Sequence, residues 1–331
     1  MRIEDRIGME RMQQLEKLDG FGNVQMVEVD RPKPAADQVL IRVRRSLISR
    51  GSELFRRYVL EEAVSPDIMG YSDAGEIVDV GTEIKGFSVG QQVMVSGPHA
   101  QFVLGHETGP RKTVFELPEG LDHETATFLP LTTSSIMWMR TTPIEPGQTV
   151  VILGQGIVGA LCAQIVRERS PGRVITVDAQ PLRCEISGKL GADHVIDVSE
   201  TDSVAAVMDL TDGKGADVVV ECVGGQVGIR SFEQAQDMLA AGGVIHLISK
   251  YQGAPLPLDG DRFMNKQLIA GIRTKQPRHE CLVDAARMLV DGTVRVDELI
   301  THRLPWEQTP EAYHMLYNDP DSALGVVLMW D

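Results

Sequence analysis

TVVILGQGIVG, residues 149–159, restricts the possible folds of this chain more than any other stretch. A run of β-formers ends in a GxGxxG pattern, and the segment after it, IVGALCAQIVRERS, has the length of a helix. In a strand–turn–helix unit Gly154 permits the tight turn, Gly156 lets the backbone approach a pyrophosphate, and Gly159 lets the helix pack on the sheet. Gln155, Ile157 and Val158 complete the loop and the first helical turn, whose unpaired N–H groups and partial positive charge favour a phosphate. The texture continues through RVITVD (173–178), HVID (194–197), DVVVEC (217–222), GVIHLIS (243–249) and QLIAGI (267–272), with helix-length segments such as PLRCEISGKLGA between them. Apolar strands joined in this way predict a parallel sheet covered on both faces, and six of them complete a doubly wound domain.

An acidic residue at the end of the second strand, roughly 20 residues beyond the glycines, accepts hydrogen bonds from an adenosine ribose. Asp178 closes VITVD at that place. Its charge would face a 2′-phosphate as a like charge, which at ~4 Å and an effective dielectric of 20 costs about 4 kcal/mol per unit pair before screening. NAD is therefore expected over NADP. Arg183, which can recruit a phosphate, works in the opposite direction.

The first 125 or so residues read differently, as short strands broken by glycine and proline: VLIRVRRSLIS (39–49), EIVDVG (76–81), QQVMVS (91–96) and TVFELP (113–118). A mostly β domain is expected there. Two amphipathic helices are expected near the end, HECLVDAARMLVDG (279–292), stopped by Gly292, and TPEAYHMLYND (309–319), with Thr309 as its cap and Pro310 in its first turn. The formal charge of −15 repels nucleic-acid phosphates and anionic lipid, so neither is an expected partner. No apolar run is long enough to span a bilayer, and the amino terminus has no apolar secretion core. The scattered cysteines, Cys162, Cys184, Cys222 and Cys281, suit a reducing cytoplasm.

PEGLDHETATFLPLTTSSIMWM, IEPGQTVVILGQGIVG, KLGADHVID, GADVVVECVG and ITHRLPWEQTPEAYHML together resemble blocks of the medium-chain dehydrogenase/reductase superfamily, and the likeness covers nearly the whole chain. It implies a GroES-like β-rich catalytic domain of residues 1–124 and 275–331 and a Rossmann NAD-binding domain of residues 125–274. It also implies that Ser135 and Val223 lie against the cofactor, that a small-molecule substrate is lined by residues 47–60, 70–73, 95–100 and 250–275, and that the protein is a homodimer or homotetramer. Zinc members carry GHExxG followed by a further glycine; here GYSDAG (70–75) and Gly81 keep the glycines but place Tyr71 and Ser72 at the ligand positions. Ser49, in ISRGSE, stands for the family's first cysteine, and LPLTTSS (129–135) has no ligand type for the last. GHETG (105–109) lies well beyond that frame and has no cysteine near it, so it is expected to be a polar loop and not a metal site. The expectation is a branch without zinc.

What the resemblance implies chemically is hydride transfer between a nicotinamide and a carbon centre, with the protein handling one proton. Tyr71 is the candidate proton donor, with Ser49, Ser72 and Glu53 near it; alternatively its ring only fills the vacated cavity. Arg50 is a candidate source of a field that lowers its pKa. A hydroxyl or carbonyl substrate, such as a sugar or polyol, is one reading. A quinone or enoyl reductase and a non-catalytic dinucleotide-binding protein are the others. Cys222 is expected to be a small buried residue, His302 structural, and His99, His123, His194, His246, His279 and His314 carry no partner pattern.

Overall fold

A computed structural model describes residues 10–109, 113–249, 255–271 and 276–331. The chain divides into two compact units: one runs to Pro130 and resumes from Ile300 to Asp331, the other is Leu131–Leu299.

The first unit is β-rich. β1 (Arg11–Lys17) and β2 (Val24–Asp30) form an antiparallel pair. β3 (Gln38–Leu47), β4 (Asp73–Val80), β5 (Gln92–Val95), β6 (Phe102–His106) and β7 (Val114–Glu116) belong to a larger sheet. α1 (His123–Ala126) is capped by the Asp122 carboxylate, which accepts from Thr125 N at 2.9 Å. The chain crosses into the second unit along α2 (Leu129–Thr141).

There β8 (Thr149–Leu153), α3 (Ile157–Ile165), β9 (Arg173–Asp178), α4 (Pro181–Lys189), β10 (His194–Asp197), α5 (Ser203–Leu210), β11 (Ala216–Glu221), α6 (Val227–Met238), β12 (Leu239–Leu247) and β13 (Gln267–Ala270) alternate strand and helix. The sheet is parallel throughout, in the order β10-β9-β8-β11-β12-β13. All six expected strands are present. The last was expected to reach residue 272, which lies outside the described residues. The central strands β8, β9 and β11 are buried almost end to end, as strands covered on both faces must be. Val151, Ile175, Val219 and Ile245 pack there with Phe232 of α6.

α7 (Arg278–Val290) departs from the sequence reading. The return to the first unit was expected near residue 275, and contacts place it at Ile300. α7 buries Cys281, Ala285, Met288 and Leu289, its Asp284 accepts from Arg140 Nη1 of α2 at 2.6 Å, and Gln164 of α3 accepts from Arg295 N at 2.8 Å. These contacts hold residues 278–299 in the second unit.

Three further elements complete the first unit: β14 (Ile300–Pro305), α8 (Thr309–Asn318) and β15 (Gly325–Met329). Thr309 is the first helical residue and not the cap; its hydroxyl donates to Trp306 O at 2.5 Å. The large sheet has the order β14-β15-β3-β4-β5-β7, with β6 pairing the early part of β3 along the edge whose later part pairs β15. Ile41, Val43, Ile77, Val93, Val103, Leu316 and Leu328 share one core.

The glycine frame of residues 70–81 has a backbone cause. A Cβ on Gly75 would stand 2.1 Å from Arg42 O, where β3 and β4 shift register, and one on Gly81 would stand 2.0 Å from Ala35 O. These positions reject any side chain, whatever their neighbours ligate.

Because β15 is an interior strand, Leu328→Ala should cost about 2–5 kcal/mol of unfolding free energy. Denaturant titration read at the tryptophans, two of which (Trp306 and Trp330) stack at 6.2 Å in this unit, measures it. A loss under about 1 kcal/mol, outside that range for a buried leucine, would mean that the carboxy-terminal return is not integral to the sheet.

Candidate functional site

In the second unit the glycine loop has the geometry that a dinucleotide needs. Gly154 follows β8 at φ +84, a conformation costly for other residues, and a Cβ there would meet Val223 Cγ2 at 2.7 Å. Gly159, in α3, would place a Cβ 1.8 Å from Gly154 O, so only glycine lets the helix start this close to the strand. Gly156 caps α3 in extended conformation, and a Cβ there would meet nothing within 4 Å. The backbone at Gly156 is thus open beside the first-turn N–H groups of Ile157 and Val158. That cradle fits a pyrophosphate.

Gln155 and Asp178 tie this loop to β9. Asp178 Oδ2 accepts from Gln155 N at 2.6 Å and Oδ1 from Gln180 N at 2.9 Å, leaving each oxygen further lone pairs. The Gln155 side chain turns inward, donating to Ile152 O and Gly154 O at 3.2 Å and accepting from Ser187 Oγ. Arg183 Nη1 lies 3.8 Å from Asp178 Oδ2, turned toward the carboxylate. Val223 lies against Gly154, its N–H donating to Glu221 Oε1 at 2.9 Å. Ser135 is fully buried in α2, its hydroxyl without a hydrogen-bond partner among the described residues. Hydrogen bonding to Cys162 and burial push the Cys222 thiol well up, which keeps it protonated and a poor nucleophile.

The first unit gathers the other candidates. Ser49 precedes a wide-wound helix, Arg50–Tyr58, and Tyr71 OH donates to Ser49 Oγ at 2.6 Å. Burial raises the Tyr71 pKa above the usual phenol value, opposed by hydrogen bonds to Ser49 and Ser52. The cation whose field reaches this phenol is Arg57, and it does not reverse the shift; Arg50, the expected source, stacks over Phe55 with its guanidinium carbon 5.6 Å from the ring centroid. Tyr71 is therefore an acid at neutral pH, not a base.

Glu53 is completely buried and meets three donors: Ser49 N at 2.9 Å, His99 Nε2 at 2.9 Å, and Tyr313 OH from α8. With a carboxylate to receive it, the His99 proton sits on Nε2. Nδ1 then faces Ser46 Oγ at 2.8 Å, which also accepts from Trp330 Nε1 at 2.9 Å. Glu53 thus holds Ser49 in place from behind and is no surface group. His99, Tyr313, Ser46 and Trp330 went unread in the sequence. No spacing rule links them, since the contacts span 46 and 260 residues.

Two further buried atoms here have no hydrogen-bond partner among the described residues, Ser72 Oγ and Asp73 Oδ1, the second lying 3.8 Å from His99 Nδ1. Asp73 Oδ2 accepts from Gly97 N at 3.2 Å, but burial, and then the Glu53 charge, raise its pKa well above the carboxylate range.

GHETG spans the end of β6 and the residues that follow it. His106 ends β6 and so belongs to a strand, contrary to the expected loop; its Nε2 lies 3.2 Å from Gln38 Nε2. Glu107 accepts from Lys85 N and Gly86 N at 3.1 and 2.6 Å, closing a turn. Four other histidines have partners: Thr142 Oγ1 lies 2.7 Å from His246 Nδ1, Tyr58 OH 2.6 Å from His314 Nδ1, Gln92 Oε1 2.7 Å from His123 Nε2, and Thr301 Oγ1 3.0 Å from His302 Nδ1. Of the expected pocket lining, residues 250–254 and 272–275 lie outside the described residues. No helix among the described residues is long and apolar enough to cross a membrane.

A GroES-like β unit together with a doubly wound unit bearing this loop defines an oxidoreductase of the pyridine-nucleotide class. Two family models match, one described as alcohol dehydrogenase GroES-like domain over residues 35–113 and one as zinc-binding dehydrogenase over residues 158–287. L-threonine 3-dehydrogenase of Pyrococcus horikoshii is 28% identical over 329 residues, 90% of this chain and 92% of that one. Sorbitol dehydrogenase of Halalkalibacterium halodurans is 24% identical over 330 residues, 90% of this chain and 93% of that one. The crystal structure of 2R,3R-butanediol dehydrogenase from Bacillus subtilis superposes with a TM-score of 0.81 at 19% identity, covering 96% of this chain and 99% of the other. The chain belongs to the medium-chain dehydrogenase/reductase superfamily.

A proton bound at Asp73 in the fold but released on unfolding makes stability fall as pH rises. That contribution is complete below the carboxylate range and is lost above it. Asp73→Asn should therefore stabilise the protein at pH 7.5 and change little at pH 4, the difference growing by at most about 1.4 kcal/mol per pH unit. Melting curves at the two pH values decide it, and an effect of equal size at both would show that Asp73 does not hold its proton.

Proposed function

We propose that this chain moves a hydride between NAD(H) and a hydroxyl- or carbonyl-bearing small molecule, of the alcohol or polyol type named for its relatives, without a catalytic zinc. The observation that carries the reading is Tyr71 OH on Ser49 Oγ at 2.6 Å, a hydroxyl pair at two positions where zinc members of the family place metal ligands. Zinc takes thiolate, imidazole or carboxylate donors, and the hydroxyls of Ser49, Tyr71 and Ser72 do not fit it. No step is routed through a metal.

Bound NAD supplies or accepts the hydride. Gly156 and the amino end of α3 hold its pyrophosphate, and the free lone pairs of Asp178 meet its ribose. Asp178 also fastens the loop through Gln155 N, so its charge cannot swing away from a 2′-phosphate. Arg183, turned to Asp178, is not directed toward one.

Tyr71 handles the proton. A phenol has one hydrogen, so in donating to a carbonyl oxygen it turns from Ser49, and the Ser49 hydroxyl then donates back to the phenolic oxygen. Glu53, holding Ser49 N, keeps that hydroxyl in place. In the oxidative direction the phenol must first give up its own proton, which its raised pKa disfavours at neutral pH. An enoyl or quinone reductase drawing on NADPH sits less well with Asp178.

NAD(H) should bind at least about tenfold more tightly than NADP(H), a difference of ~1.4 kcal/mol. Calorimetry with both cofactors measures this, and Asp178→Asn, which keeps one oxygen acceptor, should narrow the gap while weakening NAD(H). Equal affinities in the unmodified protein would show that Arg183 overrides the carboxylate.

Tyr71→Phe should lower turnover by about 10²–10⁴ with NAD affinity unchanged, tested on a substrate found in a panel of secondary alcohols, polyols and hydroxy acids. Elemental analysis of the same preparation should find no stoichiometric zinc. A drop of less than about threefold, far short of general acid–base catalysis, would reduce Tyr71 to a cavity filler, and one zinc per chain would remove the metal-free mechanism.

A further inference from the structure

We propose that Arg57 makes this site select a substrate bearing an oxyanion, a carboxylate or a phosphate, beside the reacting oxygen. The inference rests on the reading of Tyr71 as the group that meets the substrate.

Arg57 stands in the last turn of the helix Arg50–Tyr58, which also carries Ser52 and Glu53. Its charge bears on the phenols of both Tyr71 and Tyr313. Arg44, Arg45, Arg140 and Arg303 are all ion-paired in the structure, whereas Arg57 has neither an ion pair nor a hydrogen bond among the described residues. Its Nη1 is shielded from solvent without an acceptor. An unmet donor of this kind costs about 1–3 kcal/mol, and more where the group is charged.

Among the described residues neither neighbouring acid accepts from Arg57: Glu53 receives Ser49, His99 and Tyr313, and Asp73 Oδ2 receives Gly97 N. A second unmet hydroxyl, Ser72 Oγ, is buried next to Tyr71 in sequence. Yet the surface is not sealed: Tyr71, Ser52 and Arg57 are each partly exposed. A guanidinium presents paired N–H groups matched to a carboxylate or phosphate, which would recover the lost hydrogen bond. The molecule as a whole, at −15, repels anions. Selecting one therefore requires a local cation, and Arg57 is placed to be it. The competing explanation is that Arg57 only balances the Glu53 charge at a distance, in which case anion affinity would not depend on it.

Calorimetric titration of the NADH-loaded protein with glycerate, glycerol 3-phosphate and glycerol separates the two. At least one of the two anions should bind ten or more times more tightly than glycerol, and the better one assigns the carboxylate or the phosphate. The advantage should vanish in Arg57→Gln and survive, several-fold weaker, in Arg57→Lys. Anions binding no better than glycerol, or an advantage that persists in Arg57→Gln, would overturn the proposal. Phenylglyoxal modification of Arg57 in the unmodified protein, followed by peptide mass, needs no variant to fold: either glycerate or glycerol 3-phosphate should slow it and glycerol should not, and modification indifferent to both anions counts against the proposal. These are binding readouts, so a Tyr71→Phe protein that keeps full turnover would sink the proton-donor role and leave the anion preference to be judged separately.

Discussion

A carboxylate with no access to water must be met by donors, and in the first unit Glu53 imposes that requirement on three distant parts of the chain. Burying such a group costs several kcal/mol unless hydrogen bonds satisfy it. Ser49 N comes from the end of β3, His99 from the loop before β6, and Tyr313 from α8. The carboxylate thereby fixes the position of Ser49, on which Tyr71 rests. Its second tier, Ser46 and Trp330, draws in the residue after β15 as well. Removing one member leaves a buried charge or a buried donor unmet, so the cluster is an all-or-none arrangement.

The same region separates two properties that usually travel together in this superfamily. Gly75 and Gly81 persist because carbonyl oxygens of Arg42 and Ala35 stand where a side chain would go. The side chains at Ser49 and Tyr71 are instead tied to each other, through a hydrogen bond of 2.6 Å. The frame and its contents are thus under different physical control. In the second unit Asp178 joins the two, since one carboxylate both accepts from the loop at Gln155 N and sets the charge that a ribose substituent would face.

Legibility in the sequence followed the range of the interactions. The strands of the second unit could be read because each is a local apolar run bounded by turn residues, and the glycine loop because its three constraints lie within six residues. β1, β2 and β6 were missed: their half-buried alternation is weak, and only partners far along the chain reveal them. The placement of α7 failed for a related reason. Its amphipathic pattern is plain, but the face it presents is matched by Arg140 and residues of the second unit, which no local signal announces. His99 is the sharpest case. GPHAQF gives no hint that its imidazole will meet Glu53.

The order of strands in the first unit also bears on how the chain is made. β15, synthesised near the end, lies between β14 and β3, while its partner β3 emerges among the first fifty residues. Everything the nucleotide-binding unit needs has left the ribosome by Leu299. The earlier half, by contrast, must wait from Pro130 to Gly325, roughly 10–40 s at ordinary rates of synthesis, with the later part of one β3 edge, Arg45–Leu47, lacking its strand and Glu53 lacking the Tyr313 hydroxyl. The part of the protein that is born first is therefore the last to mature. An open strand edge held that long during translation is what a chaperone on the nascent chain would need to shield.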